Sequence, residues 1–214
     1  MSTIFCISGA TLHLHPFRAA FWEEERTLLL ADLHLGKAAH FRREGIPAPV
    51  LAEDGNFDRL MALLLELRPE RVIILGDLFH SHYNPVWEEV GALLRQFEHL
   101  RFELVAGNHD LLSEYQYQKT RLEVHAETLN LGPFIFSHHP LEEIPEGLYN
   151  LAGHIHPSVR LRGAGMQRER LPCFYFGERQ GLLPAFGAFT GTHPIKPSRG
   201  DRVFVLTGEG VMEV

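Results

Sequence analysis

Histidine is the residue type that stands out in this chain, with 14 copies among 214 residues. Several of these histidines stand beside aspartate, asparagine or glycine, directly after short apolar runs. Imidazole is the commonest protein ligand for transition metals and a general acid or base near neutral pH. The clusters are Asp32-Leu33-His34, Gly76-Asp77, Gly107-Asn108-His109-Asp110, His138-His139 and Gly153-His154-Ile155-His156.

Two of the clusters place ligand-type side chains two residues apart. Side chains at i and i+2 of a strand point to the same side, so Asp32 and His34 could bind one cation together, and so could His154 and His156. Each pair taken alone is also consistent with a polar strand end near solvent. The pair Gly76-Asp77 follows four apolar residues, where an unpaired carboxylate is costly to bury. The alternative role of Asp77 is the N-cap of a short helix.

The cluster at 107–110 is the most specific of the five. Asn108 can bind a metal through its amide oxygen, and His109 can transfer a proton. Asp110 could hold the imidazole of His109 in one tautomer, as carboxylates beside metal sites do. A turn would explain the glycine and the asparagine, but it would not explain the histidine.

Together the clusters offer enough nitrogen and oxygen ligands for two cations. No cysteine is among them, which disfavours a closed structural zinc site. Mixed imidazole, carboxylate and amide ligands suit manganese, iron, zinc or nickel better than calcium. The sequence therefore predicts a site for two divalent metal ions, and the ligand types do not select among manganese, iron, zinc and nickel. The candidate ligands are Asp32, His34, Asp77, Asn108, His138 or His139, His154 and His156.

Apolar runs of strand length precede all five clusters. Two segments with helical spacing of apolar residues, 50–67 and 86–100, alternate with the first three runs, which predicts parallel strands joined by helices. Ligands of such sheets bind beyond the carboxyl ends of the strands, so we expect the clusters to converge on one face. The runs lie at 27–31, 71–75, 102–106, 134–137 and 148–152.

The second half of the chain has a different pattern. Beyond residue 155, short β-like runs occur at 171–176, 182–188 and 202–206, and no convincing helix follows. With the segment 10–22, these runs predict a second sheet. The expected fold class is α/β, with two packed mixed sheets flanked by helices in a single domain over residues 1–214.

Composition narrows the class of protein. Apolar residues make up 45% and charged residues 22%, which excludes a disordered chain. No apolar stretch is long enough to span a bilayer, and no signal peptide is visible, so we expect no membrane partner. Two cysteines cannot form a disulfide framework and predict a cytoplasmic protein. The net charge of −7 disfavours nucleic-acid binding by bulk positive charge but allows a local basic patch.

In this order, the clusters resemble the motifs of the metallophosphoesterase (calcineurin-like) superfamily, which are D-x-H, G-D, G-N-H-[DE], H and G-H-x-H. All five blocks are intact between Asp32 and His156. The resemblance implies a four-layer α/β/β/α sandwich. Further segments resemble one bacterial branch, the ligase-associated DNA damage response endonucleases called PdeM. These segments are 31–37, 41–47, 75–81, 171–174 and 183–191.

The resemblance to the superfamily also implies a role for each cluster. His109 would be the catalytic acid, oriented by Asp110, and a hydroxide shared by two cations would attack phosphorus. Ser137 precedes His138, as is usual for the ligand, but His139 stands where the superfamily usually has glycine, so the choice between the two histidines stays open. One metal would be held by Asp32, His34 and His156 and the other by Asn108, His138 and His154, with Asp77 bridging them.

Basic residues follow the first and the last metal pair. They could contact the phosphate groups of a substrate, although solvated arginine loops are equally consistent with the pattern. The candidate phosphate contacts are Lys37, Arg42, Arg43, Arg160 and Arg162.

The leading hypothesis is a metal-dependent phosphodiesterase that cuts DNA in a repair setting. The resemblance to PdeM implies association with a DNA ligase, a helicase and an exonuclease. The first alternative is a phosphodiesterase or pyrophosphatase for a small nucleotide or nucleotide-lipid. The second is a protein-binding scaffold without catalysis, but such a chain would be expected to lack metal ligands or the acid.

Overall fold

The computed structural model describes residues 1–37, 51–79, 86–110, 117, 120–162, 168–188 and 190–214. The side chains of residues 51–54, 86, 162 and 168 lie outside this description. All seven candidate metal ligands lie within it.

The first sheet joins an antiparallel half to a parallel half. Its strands are β1 (Thr3–Ile7), β2 (Ala10–His15), β3 (Ala19–Trp22), β4 (Thr27–Ala31), β5 (Arg71–Leu75), β6 (Arg101–Val105) and β7 (Leu122–His125). They lie side by side in chain order. The pairs from β1 to β4 are antiparallel, and those from β4 to β7 are parallel. The parallel half directs the ends of β4, β5 and β6 to one edge.

Two helices cover the outer face of this sheet. They are α1 (Leu51–Leu67) and α2 (Val86–Gln96), close to the segments that helical spacing predicts. Leucines one turn apart on both helices pack against Leu28, Ile74 and Leu104 of the sheet. Neither described helix combines the length and the apolar run that crossing a membrane requires.

The second sheet is mixed as well. Its strands are β8 (Thr128–Leu131), β9 (Phe134–Ser137), β10 (Tyr149–Ala152), β11 (Pro157–Arg162), β12 (Arg168–Phe176), β13 (Gln180–Leu182), β14 (His193–Pro194), β15 (Arg202–Leu206) and β16 (Val211–Glu213). The order is β14-β11-β12-β13-β10-β9-β8, and β15 pairs with β12 and β16. β9 and β10 are parallel, so they deliver their polar ends to the same edge.

The two sheets pack face to face through one apolar core. Leu29 and Ile73 of the first sheet share this core with Phe136, Leu151 and Phe174 of the second, and all five are fully buried. Burying a side chain of this size contributes roughly 1.5–3 kcal/mol. The core therefore fixes the polar ends of the two sheets against each other.

The expected fold class of two mixed sheets with flanking helices is confirmed. Among the described residues both helices lie on the first sheet, so the fourth layer of the sandwich is not seen there. The single domain over residues 1–214 stays a prediction.

Two sequence-based assignments were wrong. The segment 10–22 belongs to the first sheet, because the short connection at 23–26 pairs β3 with β4 as an antiparallel hairpin. The predicted strand at 182–188 ends at Leu182. The chain then leaves the second sheet, and the amides of Phe186 and Gly187 donate to the carbonyls of Ala31 and Asp32 at 2.8 and 3.1 Å.

Candidate metal centre

The polar clusters meet where the strands of both sheets end. Asp32 follows β4 directly, Asp77 follows β5 after one glycine, and His138 follows β9 directly. A hydrogen bond joins the sheets, since the amide of His154 donates to Oδ2 of Asp32 at 2.9 Å. The convergence expected from parallel strands is therefore present, and it extends across both sheets.

Left-handed backbone marks most of the candidate ligands. Asp32, His34, Asp77, His154 and His156 have φ angles of 51°, 47°, 49°, 62° and 51°. Each non-glycine residue in this region costs roughly 1–2 kcal/mol. Paired turns hold the strained backbone, because the amides of Asp32 and His34 donate to the carbonyls of Gly76 and Asp77 at 3.1 and 2.8 Å. Strain of this kind concentrates at functional sites.

The first candidate metal group consists of Asp32, His34 and His156. Nδ1 of His156 donates to the carbonyl of Gly191 at 3.1 Å, which leaves a lone pair on Nε2. That Nε2 lies 3.3 Å from Oδ1 of the fully buried Asp32. Neither atom has a hydrogen-bond partner among the residues that the structure describes. A lone pair that faces a buried carboxylate oxygen is unfavourable unless a proton or a metal cation lies between the two atoms.

The second candidate group has His138 at its middle. Nδ1 of His138 donates to the carbonyl of Leu75 at 3.1 Å, so its Nε2 carries a lone pair. This Nε2 lies 2.9 Å from Oδ1 of Asn108, 3.1 Å from Nδ1 of His154 and 3.6 Å from Oδ1 of Asp77. Nitrogen and oxygen acceptors thus converge on one point, as metal ligands do.

Asp77 lies between the two groups. Its Oδ2 is 3.7 Å from Nε2 of His34, and its Oδ1 is 3.6 Å from Nε2 of His138. The residue is only 3% exposed. Because each oxygen faces a different group, the carboxylate has the geometry of a bridge.

His138 and His139 differ in position. His138 is buried, whereas His139 is exposed at the rim and its ring centroid lies 3.9 Å from that of His154. All three histidines lie close enough to share an ion. The contacts of His138 favour it as the ligand, and the assignment stays a prediction. Desolvation and then neighbouring imidazoles lower the pKa values of His139 and His154, which favours the neutral form that binds metals.

The glycines of the clusters make room for the ligands. A Cβ added to Gly76 would collide with the imidazole of His138, and one added to Gly107 would collide with the carboxylate and amide of Asp77. A Cβ on Gly153 would lie 2.7 Å from Oδ2 of Asp32. Each cluster therefore needs its glycine so that a ligand from another strand can approach the backbone closely.

The loop at 107–110 holds the predicted catalytic pair. The amide of His109 donates to Oδ1 of Asp77 at 3.0 Å, which ties the predicted acid to the predicted bridge. The carboxylate of Asp110 accepts from the amides of Gly107 and Phe79 at 2.9 and 3.3 Å. Asp110 thus holds the loop backbone, and its direct bond to the His109 ring stays a prediction. Burial raises the pKa of Asp110 to about 6, against the effect of both amide donors.

A sequence profile named Calcineurin-like phosphoesterase matches residues 25–195, a span that contains every candidate metal ligand. The chain belongs to this family. Calcineurin-like phosphoesterases usually bind divalent metals, and the converging lone pairs of this chain fit such ions.

One solved structure, a nuclease, agrees with the family assignment. The crystal structure of Pseudomonas putida nuclease MPE is 32% identical to this phosphoesterase, with a TM-score of 0.82 and 100% of each chain covered. The Escherichia coli phosphoesterase Yfce is 14% identical to this chain, with a TM-score of 0.42. The match covers 85% of this chain and 88% of the Yfce chain. No curated protein sequence matches this one significantly.

The candidate phosphate contacts of this phosphoesterase differ in their support. Lys37 is close enough to the centre to interact with the charges of Asp77 and Asp32. These charges raise the pKa of Lys37, whereas burial lowers it, and burial has the larger effect. Arg160 is exposed on β11 and lies opposite Arg170 of β12. No described contact links Arg160 to the centre. Arg42, Arg43 and the side chain of Arg162 lie outside the described residues.

The sequence analysis did not assign the segment 185–188 to the site, although this segment supports it. Arg18 donates to the carbonyls of Ala185 and Gly187 at 3.2 and 3.1 Å, and Arg59 donates to the carbonyl of Phe186 at 2.8 Å. The segment in turn supports the backbone carbonyl of Asp32. Burial and the nearby Arg18 lower the pKa of Arg59 to about 10. Only the P-A-F-G sequence at 184–187 hints at this role.

Proposed function

We propose that this phosphoesterase hydrolyses phosphodiester bonds in DNA and uses two divalent cations. One observation carries the hydrolytic part, namely the buried lone pairs that converge around Asp32 and His138 from both sheets. The nuclease part is supported by the similarity to the Pseudomonas putida nuclease, which extends over the full length of both chains.

The proposed ligand sets follow the two groups of converging atoms. Bound cations would neutralise phosphate charge and activate water there. The charge of Asp77 and its position between the groups would keep two cations close enough to contact one phosphate. The sets are Asp32, His34 and His156 for one ion and Asn108, His138 and His154 for the other, with Asp77 shared.

His109 is proposed to protonate the leaving oxygen. The hydrogen bond from its amide to Asp77 fixes its backbone beside the centre. The centroid of its ring lies 5.5 Å from the centroid of the His34 ring. General acid catalysis of this kind contributes about 10²–10⁴-fold. The hydrogen bonds of Asp110 to Gly107 and Phe79 keep the loop in place.

The proposal of a DNA substrate extends to the setting in which it is cut. We propose a role in DNA repair, in the cytoplasm, alongside a DNA ligase, a helicase and an exonuclease. The segments that resemble the PdeM branch support this role. Manganese is the proposed metal.

A panel of substrates tests the proposal. Closed circular single-stranded DNA, linear duplex DNA, a cyclic nucleotide and a nucleotide diphosphate ester are each incubated with the enzyme and Mn²⁺. We expect the enzyme to open the circle, which has no ends and can only be cut internally. We expect the small substrates to react slowly. The Asp77→Ala variant provides the blank for contaminating nuclease.

The alternative substrate is a small nucleotide, and the net charge of −7 favours it because DNA would be repelled outside the site. Cleavage of the nucleotide ester, with both the circular and the linear DNA left intact, would establish this alternative. It would leave the phosphodiesterase chemistry standing and remove the nuclease assignment.

A further inference from the structure

A second cluster of metal-ligand side chains lies on β6 and β7, the last two strands of the first sheet. Glu103 of β6 faces Glu123 of β7 in the register, and Val105 faces His125. Because residues two apart share a face, all three ligand-type side chains project to the same side as Val105, which belongs to the core between the sheets. Glu103, Glu123 and His125 form a group whose ligand atoms all lie within 4.8 Å of one another.

Glu103 is the unusual member of this group. The residue is 1% exposed, and its Oε2 has no hydrogen-bond partner in the part of the chain that the structure describes. This oxygen lies 3.8 Å from Nε2 of His125, a buried atom that also lacks a hydrogen-bond partner there. Oε1 of Glu123 lies 3.8 Å from the same nitrogen. Two oxygens and one nitrogen therefore face a common point.

Arg101 forms an ion pair with each of the two carboxylates. Its guanidinium pairs with Oε1 of Glu103 at 2.5 Å and with Oε2 of Glu123 at 2.8 Å. Each glutamate thus uses one oxygen for Arg101 and turns the other towards His125. Arg71 adds a weaker contact to Oε1 of Glu103 at 3.9 Å. The arginine aligns the carboxylates without occupying the oxygens that face the imidazole.

The spacing is wrong for a simple ion pair. If His125 were an imidazolium held by the glutamates, a charge-assisted hydrogen bond of about 2.7–2.9 Å would be expected. The pair of His13 and Glu23 on the same sheet has that length, 2.7 Å. Ligand atoms around a tetrahedral zinc ion stand roughly 3.3 Å apart, given bonds of about 2.0–2.1 Å. The observed 3.8 Å separations are closer to a metal site than to a hydrogen bond.

We propose that Glu103, Glu123 and His125 bind a divalent transition-metal ion of the zinc class, separate from the catalytic centre. One imidazole and two carboxylates are an ordinary ligand set for Zn²⁺. The side chains of Glu123 and His125 are 48% and 20% exposed, so the ion enters from solvent and water completes its coordination. The ion would join edge strand β7 to β6, the strand that leads into the loop with Asn108 and His109.

Zinc binding to the full-length protein tests this site directly. After equilibration with Zn²⁺ and removal of excess, we expect the His125→Ala variant to hold about one zinc ion per chain less than the unchanged protein. His13→Ala is the matched control, because it removes a histidine paired with one glutamate on the same sheet and should leave the zinc content unchanged. Glu123→Gln, at an exposed position, should also lose about one ion.

The position of the ion comes from anomalous diffraction at the zinc edge. A peak enclosed by Glu103, Glu123 and His125 is expected in crystals soaked with Zn²⁺. No peak there, with equal zinc content in His125→Ala and the unchanged protein, would overturn the proposal. Phosphodiesterase activity of His125→Ala is expected to stay within about twofold, so the outcome does not depend on the catalytic centre.

Discussion

Nε2 of His138 lies 2.9 Å from Oδ1 of Asn108, and in a neutral imidazole that donates from Nδ1 neither of these two atoms carries a proton. This tautomer follows from Leu75, whose carbonyl accepts a hydrogen bond from Nδ1 of His138. Two acceptors held this close repel each other, and so do Oδ1 of Asp32 and Nε2 of His156 at 3.3 Å. Cations at the centre would convert both repulsions into attraction.

Metal removal should therefore lower the stability of the fold. A ligand at 100 times its dissociation constant stabilises by about 2.7 kcal/mol, and each kcal/mol raises Tm by about 2–4 °C in a chain of this size. We expect excess Mn²⁺ to raise Tm by roughly 5–10 °C over the chelated protein, measured by differential scanning calorimetry. The His138→Ala variant should respond much less, and an equal response would count against its role as a ligand.

Replacing Asp77 by alanine should remove metal and activity together. Its two oxygens face different groups, so both ions of the proposed centre would lose a ligand. We expect the bound manganese, measured by elemental analysis, to fall below half, and hydrolysis of an aryl phosphodiester to fall by about 10³-fold or more. Asp58→Ala removes an exposed carboxylate on α1 and should change neither quantity. Full metal content in the Asp77 variant would exclude the bridge.

The acid role of His109 predicts a dependence on the leaving group. In His109→Ala the metals should stay bound, because the side chain is not among the proposed ligands. Turnover should fall by about 10²–10⁴-fold for a phosphodiester whose leaving group is an alkoxide, because an alkoxide is a poor leaving group without a proton. It should fall much less for a p-nitrophenyl ester, because p-nitrophenolate leaves without a proton. Steady-state kinetics on the two esters measures the difference. Equal losses on both would argue against proton donation.

Gly107→Ala tests the close packing beneath Asp77. Its added Cβ would overlap the carboxylate and the amide of Asp77, so the bridge must shift. We expect manganese affinity, measured by titration calorimetry, to fall by at least about tenfold. Gly55→Ala on α1 is the matched control, because nothing lies within 4 Å of its Cβ. That variant should keep its affinity and gain up to about 1 kcal/mol of stability from helix propensity.

The two cysteines should differ sharply in reactivity. Burial raises the pKa of the Cys173 thiol to about 12, so at pH 8 only about one molecule in 10⁴ carries the thiolate. Cys6 is exposed on β1. Titration with an aromatic disulfide at pH 8 should count one thiol in the native protein and two in guanidinium chloride. The Cys6→Ser variant should show none before unfolding, and rapid labelling of native Cys173 would contradict its burial.

The sequence predicted the half of the fold that local patterns encode. Apolar runs ending in polar clusters predicted β4 and β5 within their observed bounds, and leucine spacing predicted α1 within one residue. Local patterns could not predict which sheet contains the segment 10–22. The strand with which a segment pairs depends on the length of the connection between them rather than on the residues of the strand itself. The strand predicted at 182–188 ended early because its amides are used by Ala31 and Asp32.

The candidate site was predicted mainly through side chains. Backbone groups that complete it, such as the carbonyls of Leu75 and Gly191, have no signal in residue identity. The left-handed backbone of Asp32 and Asp77 is equally invisible, since it arises from turns that the two sheets impose on each other. Glu103 escaped notice because it lies within β6, and His125 because it ends β7 without a neighbouring polar cluster motif.

The hydrogen bond between His154 and Asp32 spans 122 positions of the chain. During translation, the aspartates leave the ribosome long before the histidines of the second sheet. A nascent chain that ends before residue 154 therefore has carboxylates but only part of a ligand shell, and it would hold ions weakly. Loading with metal would therefore require the late-made sheet to dock onto the early one.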